Sequence, residues 1–187
     1  MTDQETLFLV GAGLIVIGVL TVLIFFRRKR TGRLREHFGP EYDQTVLAAG
    51  GRGKAEADLV ARERRVDRLT LRPLTATERD FYLSSWTRIQ AQFVDDPADA
   101  VRQADQLLGV VMSTAGYPVA DFDQRLGDIS VDHPLVVEHY RAGHGIAVRH
   151  ASGQAGTEDL RQAMIHYRTL FDELVQDTAT AAIPRQA

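Results

Sequence analysis

Thr157-Glu158-Asp159-Leu160-Arg161-Gln162-Ala163-Met164-Ile165-His166-Tyr167-Arg168-Thr169-Leu170-Phe171-Asp172-Glu173-Leu174 carries the cleanest periodicity in the chain. Leu160, Met164, Tyr167, Leu170, Phe171 and Leu174 recur three and four residues apart. That spacing puts them on one stripe of an α-helix, with charged and amide side chains on the other face. Thr157 stands where an N-cap hydroxyl belongs. This stretch predicts an amphipathic helix that needs partners to cover its stripe.

The preceding sequence supplies those partners. Thr75-Ala76-Thr77-Glu78 reads as a capping box, and Tyr82, Trp86, Ile89 and Phe93 follow at helical spacing. Asp96-Pro97 is an N-cap followed by proline at the first helical position. The helix it opens carries Val101, Ala104, Leu107, Leu108, Val111 and Met112 on one side, and Gly116-Tyr117-Pro118 stops it. A short helix is expected over 119–127, with Phe122 and Leu126 four apart. Another is expected from 130–133 to Ala151, with Leu135, Tyr140, Ile146 and Ala147 inward and Gly153 as its stop. Strand-like alternation with hairpin glycines is absent. The fold class is therefore read as all-α: a small soluble antiparallel helical bundle over 73–177, with a flexible tail over 178–187.

Toward the N-terminus the composition changes. Residues 27–72 hold 13 Lys/Arg against 7 Asp/Glu, and residues 73–187 hold 9 against 16. Residues 1–26 carry only Asp3 and Glu5, and residues 7–26 are uncharged. A helix of twenty residues reaches ~30 Å, the thickness of a hydrocarbon core. Residues 1–26 are accordingly read as a transmembrane anchor with a short outer end. Arg27, Arg28, Lys29, Arg30, Arg33 and Arg35 follow it, and such a cluster resists translocation. The expected topology is single-pass in the inner membrane, with the N-terminus outside and the C-terminal domain in the cytoplasm. A cleaved signal peptide fits less well, because this segment begins acidic and ends Ile24-Phe25-Phe26-Arg27. No two small residues in the span have the GxxxG spacing of a helix-pairing face.

Residues 27–72 read as a basic juxtamembrane stem. Gly39-Pro40 breaks its first helical stretch. Residues 48–53, with three glycines, read as a hinge, and 54–71 as a helix with Leu59, Val66 and Leu69 on a thin stripe. Its arginines near the bilayer suit anionic lipid. Those over 62–72 suit lipid, an acidic protein or nucleic acid equally.

His133, His139, His144 and His150 share one predicted helix, but their steps of 6, 5 and 6 rotate successive rings apart. Pairs on one face are eleven residues and ~16 Å apart, so no single metal takes both. Asp121-Phe122-Asp123 begins like a calcium loop but has Leu126 and Asp132 where glycine and glutamate are required. Gly50-Gly51-Arg52-Gly53-Lys54 approaches a phosphate loop, yet Ala48 and Ala55 occupy required positions and no strand precedes it. Gly11-Ala12-Gly13 falls within the expected anchor. Ser84, Ser85, Ser113, Ser130 and Ser152 lack a GxSxG setting. Asp95-Asp96 is explained by helix capping, and Trp86 by a place in the core. The absence of cysteine excludes thiol catalysis and disulfides. No catalytic, cofactor-binding or metal residue is assigned.

The strings Leu34-Arg35-Glu36-His37-Phe38-Gly39-Pro40-Glu41-Tyr42-Asp43, Arg72-Pro73-Leu74, Phe93-Val94-Asp95-Asp96-Pro97 and Gly116-Tyr117-Pro118 give the chain a resemblance. It resembles a group of small, functionally unassigned bacterial proteins, frequent in actinobacteria, many with an N-terminal anchor. The resemblance spans most of 34–174. It implies a bacterial inner-membrane setting and carries no activity or site residues.

These readings converge on a non-enzymatic adaptor or regulator that presents its bundle to a protein partner. A small-ligand sensor or enzyme with a site assembled in the bundle is the first alternative. A membrane tether for nucleic acid through the arginine-rich stem is the second.

Overall fold

The structure is a computed structural model. It describes the backbone of residues 3–118 and 120–180, and the side chains of 18–118 and 120–176. The described residues form eight α-helices and no strand: α1 Asp3–Phe38, α2 Pro40–Ala49, α3 Arg52–Val66, α4 Ala76–Gln92, α5 Pro97–Ala115, α6 Phe122–Asp132, α7 Val137–Ala151 and α8 Thr157–Thr180. The protein is all-α.

Local chemistry sets the helix ends. Thr75 Oγ1 accepts from the Glu78 amide while the Glu78 carboxylate accepts from the Thr75 amide, so the capping box forms. Asp96 accepts from the Asp99 amide and starts α5. Asp121 does the same for α6 through Gln124. Helix α6 runs past the expected stop at Gly127 and through Ser130, carrying Ile129 and Val131 into the cores, and ends at Asp132 just before Pro134, so that α7 starts only at Val137. Helix α3 stops at Val66, short of the expected Leu71. Helix α8 continues to Thr180, into the expected tail, and residues 181–187 lie outside the described residues.

Gly116 ends α5 with φ 104°, a conformation open to glycine. A Cβ there would lie 2.4 Å from the Thr70 carbonyl oxygen. The segment between α3 and α4 thus crosses directly over the end of α5, and the Arg72 amide bonds the Ala115 carbonyl at 2.9 Å.

Two apolar cores result. The larger gathers Trp86 and Ile89 of α4, Leu108 and Met112 of α5, Ile129 of α6, Tyr140 of α7, and Tyr167 and Phe171 of α8. The smaller joins Leu34 and Phe38 of α1, Tyr42 of α2, and Leu59 and Val66 of α3 to Val131 of α6. Leu69 packs against both. Residues 34–66 are therefore packed onto the bundle through α6.

The expectation for the N-terminus requires correction. Among the described residues no helix is long and apolar enough to cross a membrane. This overturns the single-pass inner-membrane reading, with its transmembrane helix and its N-terminus-outside topology. The apolar stretch 18–26 lies within α1. The same helix α1 then continues through all six cations of 27–35. The side chains of 1–17, including Gly11, Ala12 and Gly13 and the first part of the expected span, lie outside the described residues.

Candidate functional site

Two buried polar clusters stand out. The first joins the two cores. Glu41 of α2 is 3% exposed. Its carboxylate accepts from Arg62 Nη1 at 3.0 Å and from Arg141 Nη2 at 2.9 and 2.7 Å. Arg62 also donates to Asp58 and to Ser130 of α6. One turn along α3, Arg65 Nε donates to Asp128 of α6 at 2.6 Å. Burying charges is tolerable only when each is paired and hydrogen-bonded, and here most valences are filled. This cluster is a structural clasp.

The second cluster is not filled, and it is the candidate site. It lies where α5, α6, α7 and α8 meet and comprises Asp105, Phe122, Arg125, Tyr140, His144 and Tyr167. Two glycines make its space. A Cβ on Gly143 would sit 2.7 Å from Tyr167 Cε1, so its absence lets the Tyr167 ring lie against α7. A Cβ on Gly109, one turn beyond Asp105, would sit 2.8 Å from Arg125 Nη1. The Arg125 guanidinium lies 5.9 Å from the Tyr140 ring centre. It faces Asp105 at 3.9 Å, a loose ion pair. Phe122 stacks on the His144 imidazole at 3.6 Å and packs against Tyr140 at 5.0 Å.

Four polar atoms here are buried without a hydrogen-bond partner: Asp105 Oδ1, Arg125 Nε, Tyr140 OH and Tyr167 OH. A buried orphan of this kind costs about 1–3 kcal/mol, and four from four helices in one place form a coherent unmet demand. Both phenols are 0% exposed. Burial raises both phenol pKa values far above the ordinary range, and the nearby Asp105 charge raises them further. The Asp105 carboxylate also acts on both phenols as a hydrogen-bond acceptor, at a separation beyond that of an ordinary bond. Burial also lowers the His144 pKa, with Arg125 acting in the same direction against Asp105 and Asp123. The site thus sets two phenols that resist ionisation and an imidazole that resists protonation beside the Asp105 and Arg125 side chains. These groups can donate hydrogen bonds to, and accept them from, a polar molecule.

The residues weighed from sequence are dispersed. His139 meets His166 of α8, Nδ1 to Nδ1 at 3.0 Å. His150 Nδ1 donates to the Ala155 carbonyl at 2.8 Å, and His133 is buried with Glu173 at 3.5 Å. Among the described residues no group of three or more His, Cys, Asp or Glu could hold a metal ion. Trp86 stacks on Phe171 at 4.7 Å in the larger core. Asp96 caps α5, and the hydroxyls of Ser84, Ser130 and Ser152 bond backbone carbonyls of their own helices. Of the six cations read as membrane-orienting, Arg30 donates to the Glu56 carbonyl, Arg33 pairs with Glu63 and Arg35 with Asp43, while Arg27, Arg28 and Lys29 are exposed. Arg62, Arg65 and Arg72 are engaged by Glu41, Asp128 and Glu78, which takes three cations from the surface that 62–72 was expected to offer.

Asp105 and Arg125 were not singled out in the sequence, and Tyr140 and Tyr167 were read only as inward-facing. One signal was present: two tyrosines on apolar stripes each bring a hydroxyl that must find a partner when buried. No protein family, curated protein or solved structure matches the chain.

Proposed function

We propose that this protein is a non-enzymatic regulator that senses a small polar molecule in its helical bundle. The observation that supports this reading is the set of four unpartnered buried polar atoms from α5, α6, α7 and α8. The opposed charges of Asp105 and Arg125 favour a neutral ligand with both donors and acceptors. A ligand there ties together four helices and biases the bundle toward one packed state, as a sensor requires.

The test is amide NMR of the full chain titrated with urea, glycerol and small primary amides. Saturable shifts at Arg125, Tyr140 and His144, weakened by Tyr167→Phe and by Asp105→Asn, support the reading. Absence of any saturable shift sinks it and leaves the cluster to ordered water.

A protein partner is a second reading, favoured by Val94 and Leu135, which stand 84% and 76% exposed at the turns before α5 and α7. A pull-down recovering no specific partner would count against it.

A further inference from the structure

Gly50-Gly51-Arg52-Gly53-Lys54 lacks the strand and the hydroxyl of a phosphate loop, but its place in the fold gives it other company. It opens α3 alongside the cationic end of α1, and the two helices bound an open groove of about 590 Å³. Arg27, Arg28 and Arg30 line it from α1, and Arg52, Gly53 and Glu56 from α3. That is four cations against one carboxylate.

The carboxylate is already committed. Glu56 Oε1 accepts from Thr31 Oγ1 at 2.6 Å and from the Tyr42 hydroxyl at 3.0 Å. Arg30 Nη2 donates to the Glu56 backbone carbonyl at 3.0 Å, which braces α1 against α3. Arg27, Arg28 and Arg52 remain exposed around the opening. Gly51, the N-cap of α3, offers no side chain to the first-turn amides. Gly53 has no atom within 4 Å of where a Cβ would be, so its backbone is approachable.

A second groove, bounded by α1, α3 and α6, has a different charge pattern. That space, about 510 Å³, sets Arg33 and His37 against Glu63, Asp67 and Asp132, and Arg33 is tied to Glu63 by two hydrogen bonds of 2.9 and 2.8 Å. Its one arginine is neutralised within the fold. The α1–α3 groove has no such balance.

We infer that the α1–α3 groove binds a phosphate-bearing ligand through Arg27, Arg28 and Arg52. Guanidinium groups grip phosphate oxygens in paired hydrogen bonds, which a sulfonium, amine or neutral ligand does not reproduce. The volume falls in the ordinary range of small-ligand sites, about 300–1,000 Å³. The site is independent of the Asp105–Tyr167 cluster, so either can fail without the other.

The experiment titrates the full chain at constant ionic strength with inorganic pyrophosphate, and separately with glycerol 3-phosphate as a stand-in for a lipid headgroup. Amide NMR at Arg52 and Gly53 reads the binding, and circular dichroism checks that each variant is folded. Saturable shifts are expected, weakened about tenfold or more by Arg28→Glu and by Arg52→Glu, since each removes a paired contact and adds repulsion. Arg64→Glu, the same charge change at an exposed position elsewhere on α3, should alter affinity less than about twofold at this ionic strength. Tighter pyrophosphate binding identifies a free phosphate as the source, and tighter glycerol phosphate binding a headgroup. No saturable shift with either, or equal weakening by Arg64→Glu, overturns the proposal.

Discussion

Replacing Glu41 with alanine tests whether residues 34–66 are integral to the fold. Its carboxylate receives three hydrogen bonds, at 3.0, 2.9 and 2.7 Å, from arginines on α3 and α7. Removing one partner of a buried ion pair costs about 3–5 kcal/mol, because the opposite charge is left uncompensated. Two features set the value toward the lower end. Arg62 keeps Asp58 at 2.7 Å, and the Arg141 side chain is 36% exposed and can turn to water. The expected loss is therefore about 3 kcal/mol. For a chain of this size that lowers Tm by roughly 6–12 °C. Urea denaturation of the full chain followed by circular dichroism measures the loss. A double-mutant cycle with Arg141→Met should return a coupling of about 1.5 kcal/mol or more. A loss below about 1 kcal/mol, the ordinary cost of an arbitrary substitution, would refute the assignment of Glu41 as the centre of the clasp.

Gly116→Ala should cost at least about 2 kcal/mol, since it forces a Cβ into a left-handed residue against the Thr70 carbonyl. Gly32→Ala, in open space on α1, should instead stabilise by up to about 1 kcal/mol; thermal unfolding of the pair checks both, and a neutral Gly116→Ala would refute the crossing over α5. Glu78 should titrate at about 2, held down first by the Arg72 guanidinium and then by the Thr75 amide. Because that folded value is depressed, its stabilisation is present above the ordinary 4.5 and lost as pH falls toward about 2. Carboxyl-carbon NMR reads the midpoint, which Arg72→Ala should move back toward 4.5. The His166 pKa is lowered by burial first and by His139 next. Stability should therefore be full above the ordinary 6.5 and decline below it, as the unfolded chain takes a proton that the folded one resists. His166→Phe should flatten that decline in denaturation curves between pH 7 and 5, and an unchanged slope would show that the ring is not responsible.

What could be read from the sequence divides along physical lines. Helix starts were legible where one side chain does the work within three residues, as at Thr75-Glu78 and Asp96-Asp99. The inward stripe of α8 was legible because packing of that face is fixed by periodicity alone. Boundaries set by tertiary contact were not. Helix α6 outran its expected end at Gly127 because Ile129 and Val131 are needed by the two cores. The histidine pair His139 and His166 escaped notice because the search along one helix could not see a ring arriving from α8. The Asp105 cluster escaped for the same reason, its members lying on four helices. The apolar run at the N-terminus was given a membrane role on length and composition, and the described part of α1 does not sustain it.

The charge asymmetry was visible from the start, and the structure gives part of it a different meaning. In the sequence, the arginines of the basic segment that precedes the acidic one suit a surface turned toward lipid, protein or nucleic acid. Several of those charges face each other instead. Arg65 of the basic segment meets Asp128 of the acidic one, Arg72 meets Glu78, and Arg141 returns the relation by meeting Glu41. Asp128 and Glu41 are nearly inaccessible, so the pairs made with them are shielded from the salt that would screen the same charges in solution. Two segments of opposite net charge thus dock through a few desolvated contacts, which specify register as well as attraction. The cations left over are then the informative ones, and among the described residues Glu56 is the only carboxylate lining the α1–α3 groove with them. Their excess is what a ligand carrying negative charge would complete.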